Sequence, residues 1–434
     1  MMATTAPNTL PEIDTAGSGN VPRAIVAAVF LASYLSWRPS LDILFTISDA
    51  LFLLGACQLM SRRKIPLEPF GALSPLWLGA FATMMTGLLI SSLSGSDPSR
   101  WLVVASQYAF AWVVLPFLLM GHDRTYTLSL AKALLIGLVV MELIGEVVYF
   151  TYRGSFQQAR ALLGLDFVSG SGRLGVFATD ANWNGAAISM ALPFSFYLAS
   201  QRLIRPIVAI ASIGILLFGL LLTASFTAFS STCVAIAMFL VAGAVRPRIS
   251  IVVAVATLFL VVIQKEIPLP SVFQKRVASA IETGDMSEAG TFDGRVALMQ
   301  DAWRMAGDHM LVGVGVDQDR IVSQLRAPVH NMYLLVWVEG GLIALAGWIC
   351  MVAVFVATAI TAFRRDRLAG ALALSVMTTF LMFSTASPHM YARLWAVPVL
   401  LALAIARNAV VDMDGGYRRR RAKMAPGQPR APRS

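Results

Sequence analysis

Charge is scarce in this chain. Of 434 residues only 13% are Asp, Glu, Lys or Arg while 57% are apolar, a balance that excludes a soluble domain of this length. Cysteine is nearly absent: Cys57, Cys233 and Cys350 each fall inside an apolar run, without Cys-x-x-Cys or Cys/His spacing. That excludes a zinc site or a disulfide framework, and the three are expected as buried thiols. The first twenty or so residues carry Glu12 and Asp14 and no basic cluster, which excludes a cleavable signal peptide. No internal repeat divides the chain, and its longest polar stretch is off-centre, against a two-half carrier. The formal charge of +10 is not gathered into a basic patch interleaved with aromatics, so no nucleic-acid partner is expected.

What the chain has is apolar runs long enough to cross a bilayer core of roughly 30 Å. They fall at 24–37, 43–60, 72–93, 101–120, 129–150, 185–200, 206–223, 227–245, 249–264, 332–362, 368–385 and 390–409. The expected fold is all-α: a polytopic inner-membrane protein of about twelve transmembrane helices. The segment from Met332 is too long for one untilted crossing, and Gly340-Gly341 mark a break after a short leading helix. Arg62-Arg63-Lys64, Arg124, Arg202 with Arg205, Arg246 with Arg248, and Arg364-Arg365-Asp366-Arg367 fall on alternate connections. The positive-inside rule makes those connections cytoplasmic, with both termini on the same side. The organisation is then a disordered cytoplasmic tail over 1–22, one membrane domain over 23–411, and a basic cytoplasmic tail over 412–434 whose Arg418–Arg421 and Lys423 suit anionic lipid headgroups.

Two connections on the other side are longer than turns, 151–182 and 265–331. The second is a large extracytoplasmic loop between spans nine and ten, and a loop of that size usually has a task. As a helix, 294–306 places Val296, Leu298, Met299, Ala302, Trp303, Met305 and Ala306 on one apolar arc that includes Arg295. Thr291 or Asp293 would cap it, leaving Arg295 in a first turn where the macrodipole disfavours a cation unless an anion binds there. A lone arginine so placed more often snorkels or pairs with a carboxylate. Downstream, His330-Asn331 stands at the mouth of a membrane helix, offering an imidazole that exchanges protons near neutral pH and an amide that can equally cap the helix.

The run Gly294-Arg295, Trp303, His309, Gly313-Val314-Gly315, His330-Asn331-Met332-Tyr333-Leu334, Glu339, Gly341-Leu342 resembles the O-antigen ligase and Wzy-type polymerase superfamily. A weaker match lies in Arg173-Leu174-Gly175-Val176-Phe177 followed by Asn182. Met310 stands where the family often has proline, and Phe226 where many members have an arginine after the serine. The resemblance implies a metal-independent glycosyltransferase without cofactor. It would move a glycan from polyprenyl diphosphate to a hydroxyl of an acceptor, the lipid A core or a growing polysaccharide, on the periplasmic face. Membrane lipids and other polysaccharide assembly proteins are the further partners expected.

Charge grows on the departing diphosphate as the anomeric carbon is attacked, and fixed guanidinium groups suit it. Arg295 and His330 are therefore the catalytic candidates, His330 as the base. Arg173, Asn182, His309, Arg320, Arg326, Asn331 and Tyr333 are the substrate-binding candidates, with His309 the reserve base. No metal ligand is assigned: Asp317-Gln318-Asp319 is a chance Asp-x-Asp match, because two carboxylates alone hold magnesium poorly. Glu339 is expected to cap a helix or pair with an arginine. The competing class is a transporter or flippase of an amphipathic lipid, which would use Asp42, Asp49, Glu142 and Glu146. Those four are also explained by helix ends or by pairing with Arg38 or Arg153.

Overall fold

The computed structural model describes residues 21–424 apart from 37, 39–42, 96–97, 164–165, 170, 244–270 and 284–291. The expected span 249–264, Asp42, Thr291 and most of the two tails lie outside the described residues. Among those described, regular structure is helical, and the one β feature is an isolated bridge between Val168 and Leu174.

Eight helices are long and apolar enough to cross a membrane, by length and composition. They are α3 (Ser74–Gly95), α4 (Pro98–Leu119), α5 (Arg124–Thr151), α7 (Pro206–Thr223), α8 (Phe226–Gly243), α11 (Met332–Arg365), α12 (Arg367–Ser384) and α13 (Arg393–Met424, apolar to Val411). Three of the twelve expected spans take other forms. The first is the short α1 (Arg23–Phe30) followed by turns, and the second is α2 (Ile47–Ser61), shorter than a full crossing. The third, α6 (Ala181–Ser200), has twenty residues but too many polar ones to qualify.

That polarity is a consequence of position. Every residue of α6 from Asn184 to Leu198 is buried, so helices rather than lipid surround it. Ser189 Oγ is 2.7 Å from Thr232 Oγ1 of α8 and donates to the Ala228 carbonyl at 3.1 Å, the kind of polar contact that fastens helices where no water competes. Small residues do the same for α3 and α11: at Gly87 a methyl would meet the Ala344 amide nitrogen at 2.5 Å, and at Gly347 that of Met84 at 2.3 Å. Cys57 and Cys233 are exposed and Cys350 half-buried, contrary to the expectation of buried thiols. Lipid is as apolar as a protein core, so an apolar run need not face inward.

Followed helix by helix, chain ends alternate between two sides. Arg124, Tyr197, Asp366 and Asn408 line one recess at the arginine-rich side. The opposite side gathers the described residues of 31–36, 43–46, 152–163, 166–169, 171–180, the α7–α8 turn, 271–283, 292–331 and 385–392. One tie there bears out a helix-end reading of Asp49, and its ion-pair partner was not expected from the sequence. Asp49 caps α2 together with Thr46 and forms a buried ion pair with Arg393, not with Arg38. The Arg393 guanidinium also lies over the Phe110 ring at 4.6 Å, so both members of the pair are hydrogen-bonded or stacked as burial requires.

Candidate functional site

The site lies on the side opposite the arginine-rich connections and starts where the segments 166–169 and 171–175 are bridged at Val168 and Leu174. Ser169 N donates to the Arg173 carbonyl at 2.9 Å, and Leu174 N donates to the Leu222 carbonyl at the end of α7, also at 2.9 Å. Tyr149 Oη holds the Gly172 carbonyl at 3.0 Å. With its backbone pinned, Arg173 aims its guanidinium into the α7–α8 turn. Nε donates to the Thr223 carbonyl at 2.8 Å and Nη2 to Asn182 Oδ1 at 2.7 Å. Ser225 Oγ donates to the same Asn182 oxygen at 2.9 Å. Behind it, Asn184 Nδ2 bridges the Leu174 carbonyl at 3.3 Å and the buried Glu142 at 3.4 Å. Glu142 thus has a partner on α6 rather than in Arg153.

Asp180 caps α6, accepting from Asn182 N at 2.7 Å and Trp183 N at 3.0 Å. Its carboxylate faces the cluster and raises the pKa of Arg173, Arg295 and His330. Helix α9 (271–283) closes the next wall. Phe273 and Val277 pack with Leu221 and Ala224, and with Phe226 and Phe229 beside them. Phe226, which stands where the family often has arginine, is therefore the apolar seat on which α9 docks. Adjacent to Val277, Arg276 reaches the same cluster.

Helix α10 (Phe292–Asp308) carries Arg295 one turn from its start, with Asp293 inside the first turn rather than capping it. Ala302, Met305 and Ala306 pack on Val329, Leu335 and Val338 of α11 and the segment before it. Burial lowers the basicity of all three arginines; with Arg276 and Arg295 adding to it, Arg173 falls to about 10, and Arg276 also lowers Arg295. Three guanidinium groups and one carboxylate thus share a half-buried space with a net charge near +2. No carboxylate among the described residues lies within ion-pair distance of Arg295.

His330 completes the cluster and is held from both sides. Val329 N donates to Asp319 Oδ2 at 2.8 Å, and Asn331 caps α11, its Oδ1 accepting from Tyr333 N at 3.0 Å and Leu334 N at 3.1 Å. Burial and then Arg295 push the imidazole below its ordinary pKa of 6.5, against an opposing pull from Asp180. It is neutral at pH 7 and able to accept a proton.

The sequence candidates thus divide. Arg173, Asn182, Arg295 and His330 come together, and Asn331 and Tyr333 begin the helix that places them. His309 is exposed beyond the far end of α10 from Arg295, ~20 Å along the helix axis. Arg320 and Arg326 are exposed, and Arg320 lies 3.6 Å from Asp317. Arg276 and Asp180 were missed. A lone loop arginine carries no signal, and an aspartate before a helix reads only as a cap.

A second cluster fixes the loop behind His330. Asp317 pairs with Arg100 of α4 and lies 3.6 Å from His389, whose Nδ1 is 3.3 Å from Tyr108 Oη. Burial pushes the Asp317 carboxyl up, but His389 and Arg100 hold it well below the usual range. Glu339 Oε1 accepts the Asp317 amide N–H at 2.8 Å, so this glutamate clamps the loop and neither caps a helix nor pairs with an arginine. Asp317, Glu339 and His389 bring one potential ligand atom each within 4.8 Å of one another. Two guanidinium groups already flank Asp317, and a dication would have to compete with both. Asp319 does different work on the Val329 amide, so the Asp-x-Asp pair does not act as a unit.

Residues 210–349 match a family model described as O-Antigen ligase. Over that stretch the chain is similar to the O-antigen ligase family. The matched stretch contains Ser225, Arg276, Arg295, His330 and Glu339, while Arg173, Asp180 and Asn182 precede it. No curated protein matches the chain. That likeness is to a membrane enzyme of ligase or polymerase type and does not favour a transporter.

Proposed function

We propose that this protein transfers a glycan from a polyprenyl diphosphate to a hydroxyl of an acceptor glycan, at the periplasmic face of the inner membrane and without a metal ion. The observation that carries the reading is the convergence of Arg173, Arg276 and Arg295 beside a neutral His330. The acceptor oxygen attacks the anomeric carbon and its proton passes to the His330 imidazole. The bond to the diphosphate oxygen breaks, and the lipid diphosphate leaves with the electron pair. Its growing charge is met by guanidinium groups already fixed in place, so little reorganisation opposes the step. Arg276 offers the cation that Phe226 does not. The half-buried setting strengthens each contact relative to water.

Ligation to the lipid A core and polymerisation of repeat units share this bond chemistry and differ in the acceptor. A strain lacking the protein separates them. Loss of polymer with accumulation of single-repeat lipid intermediates identifies a polymerase, and long lipid-linked chains beside an uncapped core identify a ligase. Complementation with His330→Ala or Arg295→Ala is expected to fail, transfer by each purified variant falling about 10²-fold or more. Unchanged surface glycans in the deleted strain would overturn the proposal.

A further inference from the structure

Helix α10 presents two unlike edges. On one, Asp301 Oδ2 accepts from Ser323 Oγ at 2.8 Å and from Gln324 N at 3.1 Å, so the loop over 317–326 covers it. On the other, Met299 is 36% and Trp303 63% exposed. At 100° per residue Met299 and Trp303 lie about 40° and 80° round from Arg295, so one edge carries the guanidinium and the exposed apolar side chains together.

This edge leads to the membrane boundary. Trp303 meets Trp337 of α11 edge to face at 5.3 Å, and Trp337 Nε1 donates to the Met310 carbonyl at 3.2 Å. Leu342 N donates to that same carbonyl at 2.9 Å. The α11 kink is at Gly341, and Leu342–Arg365 beyond it spans ~36 Å, enough for a core of ~30 Å. Met310, Leu311 and Val312, which are 49%, 63% and 38% exposed, therefore stand where the crossing begins. Paired tryptophans at that level suit a membrane interface.

We infer that this edge is the track for the apolar tail of the lipid-linked donor. An isoprenoid chain leaves the bilayer at Leu311 and Met310, lies along Trp303 and Met299, and sets its diphosphate against Arg295. The identity of the occupant rests on the transferase reading. The complementarity does not: an apolar strip that ends on three guanidinium groups matches a lipid with a long tail and a compact, multiply charged anionic head. Bulk phospholipid has no need of the cationic end.

The test uses full-length protein in nanodiscs and a long-chain polyprenyl diphosphate carrying a diazirine in the isoprene units nearest the head. Photolysis and mass spectrometry locate the adducts. They are expected to concentrate on Met299, Trp303, Met310 and Leu311 over Val147 and Phe150, which are similarly exposed apolar residues at the same side of the bundle. Excess unlabelled polyprenyl diphosphate should remove them, and Arg295→Ala should lower them about tenfold or more, the scale of one charge-assisted contact. Adducts spread equally over both sets, or persisting under competition, would mean that the edge meets only bulk lipid, and the inference falls. Adducts as expected in a protein that forms no glycosidic bond would overturn the transferase reading and leave the track standing. Transfer with adducts elsewhere would do the reverse.

Discussion

An imidazole takes a proton from a sugar hydroxyl only while it is neutral. His330 is kept so by burial first and by Arg295 second, while Asp180 pulls the other way. Because the pKa in the folded protein is depressed, protonation and loss of the base come at a pH below 6.5. The acid limb of kcat/KM, which reports the free enzyme, is expected below that value. Asp180→Asn removes the one group that raises it and should move the limb further down. A limb at or above pH 6.5, or one indifferent to Asp180, would count against His330 as the base. Arg173, at about 10, stays charged across the whole range. Arg295, His330, Arg173 and Asn182 could be read from the sequence because each stood in a family-like run. Arg276 and Asp180 could not, since their places follow from how α9 docks on the α7–α8 turn and how α6 begins.

Among the helices, α11 shows why a glycine motif is where it is. Gly341 has φ 68° and ψ −173°, a region open essentially to glycine alone. The break frees backbone groups that hydrocarbon cannot satisfy. The segment after α10 takes them: Leu342 N donates to the Met310 carbonyl at 2.9 Å, and Val314 N and Gly315 N donate to the Val338 and Glu339 carbonyls at 2.8 and 3.0 Å. A methyl on Gly341 would meet the Leu311 carbonyl oxygen at 2.0 Å, and one on Gly313 the Glu339 carbonyl at 2.7 Å. Gly341→Ala should therefore cost about 1–3 kcal/mol from backbone strain alone, with the clash added. It should lower the unfolding temperature and loosen the loop that carries His330. Gly79→Ala, at a helical position where nothing lies within 4 Å, should leave that temperature unchanged or slightly raised. Equal unfolding temperatures for the two variants would refute the account of the break.

At the level of the whole bundle, α4, α11 and the 385–392 connection are tied to the His330 loop through Asp317, Arg100 and His389. The same carboxylate, with Glu339 and His389, is the one place among the described residues where three potential metal ligands meet. Guanidinium groups can supply the charge that a metal ion would bring to a diphosphate. Purified protein treated with a chelator is therefore expected to keep its full rate of transfer. A loss restored by a divalent cation would transfer the electrostatic role to Asp317, Glu339 and His389. Asp317→Asn would then abolish the restoration.

Composition and hydropathy alone determined that the protein is a helical membrane protein, because the energy of placing apolar runs in hydrocarbon depends on local sequence. The break at Gly340-Gly341 and the family resemblance were legible for a similar reason: both rest on short runs of neighbouring residues. Helix α6 shows the limit. Its run over 185–200 reads as a span, yet the whole helix is too polar to face lipid and is among the most buried, because its neighbours rather than lipid are its solvent. Only the tertiary structure decided that Asp49 belongs to Arg393, 344 residues away, and that Arg276 joins Arg173 and Arg295. Electrostatic convergence depends on which helix ends share a side and how they pack, and no local pattern in the sequence encodes that.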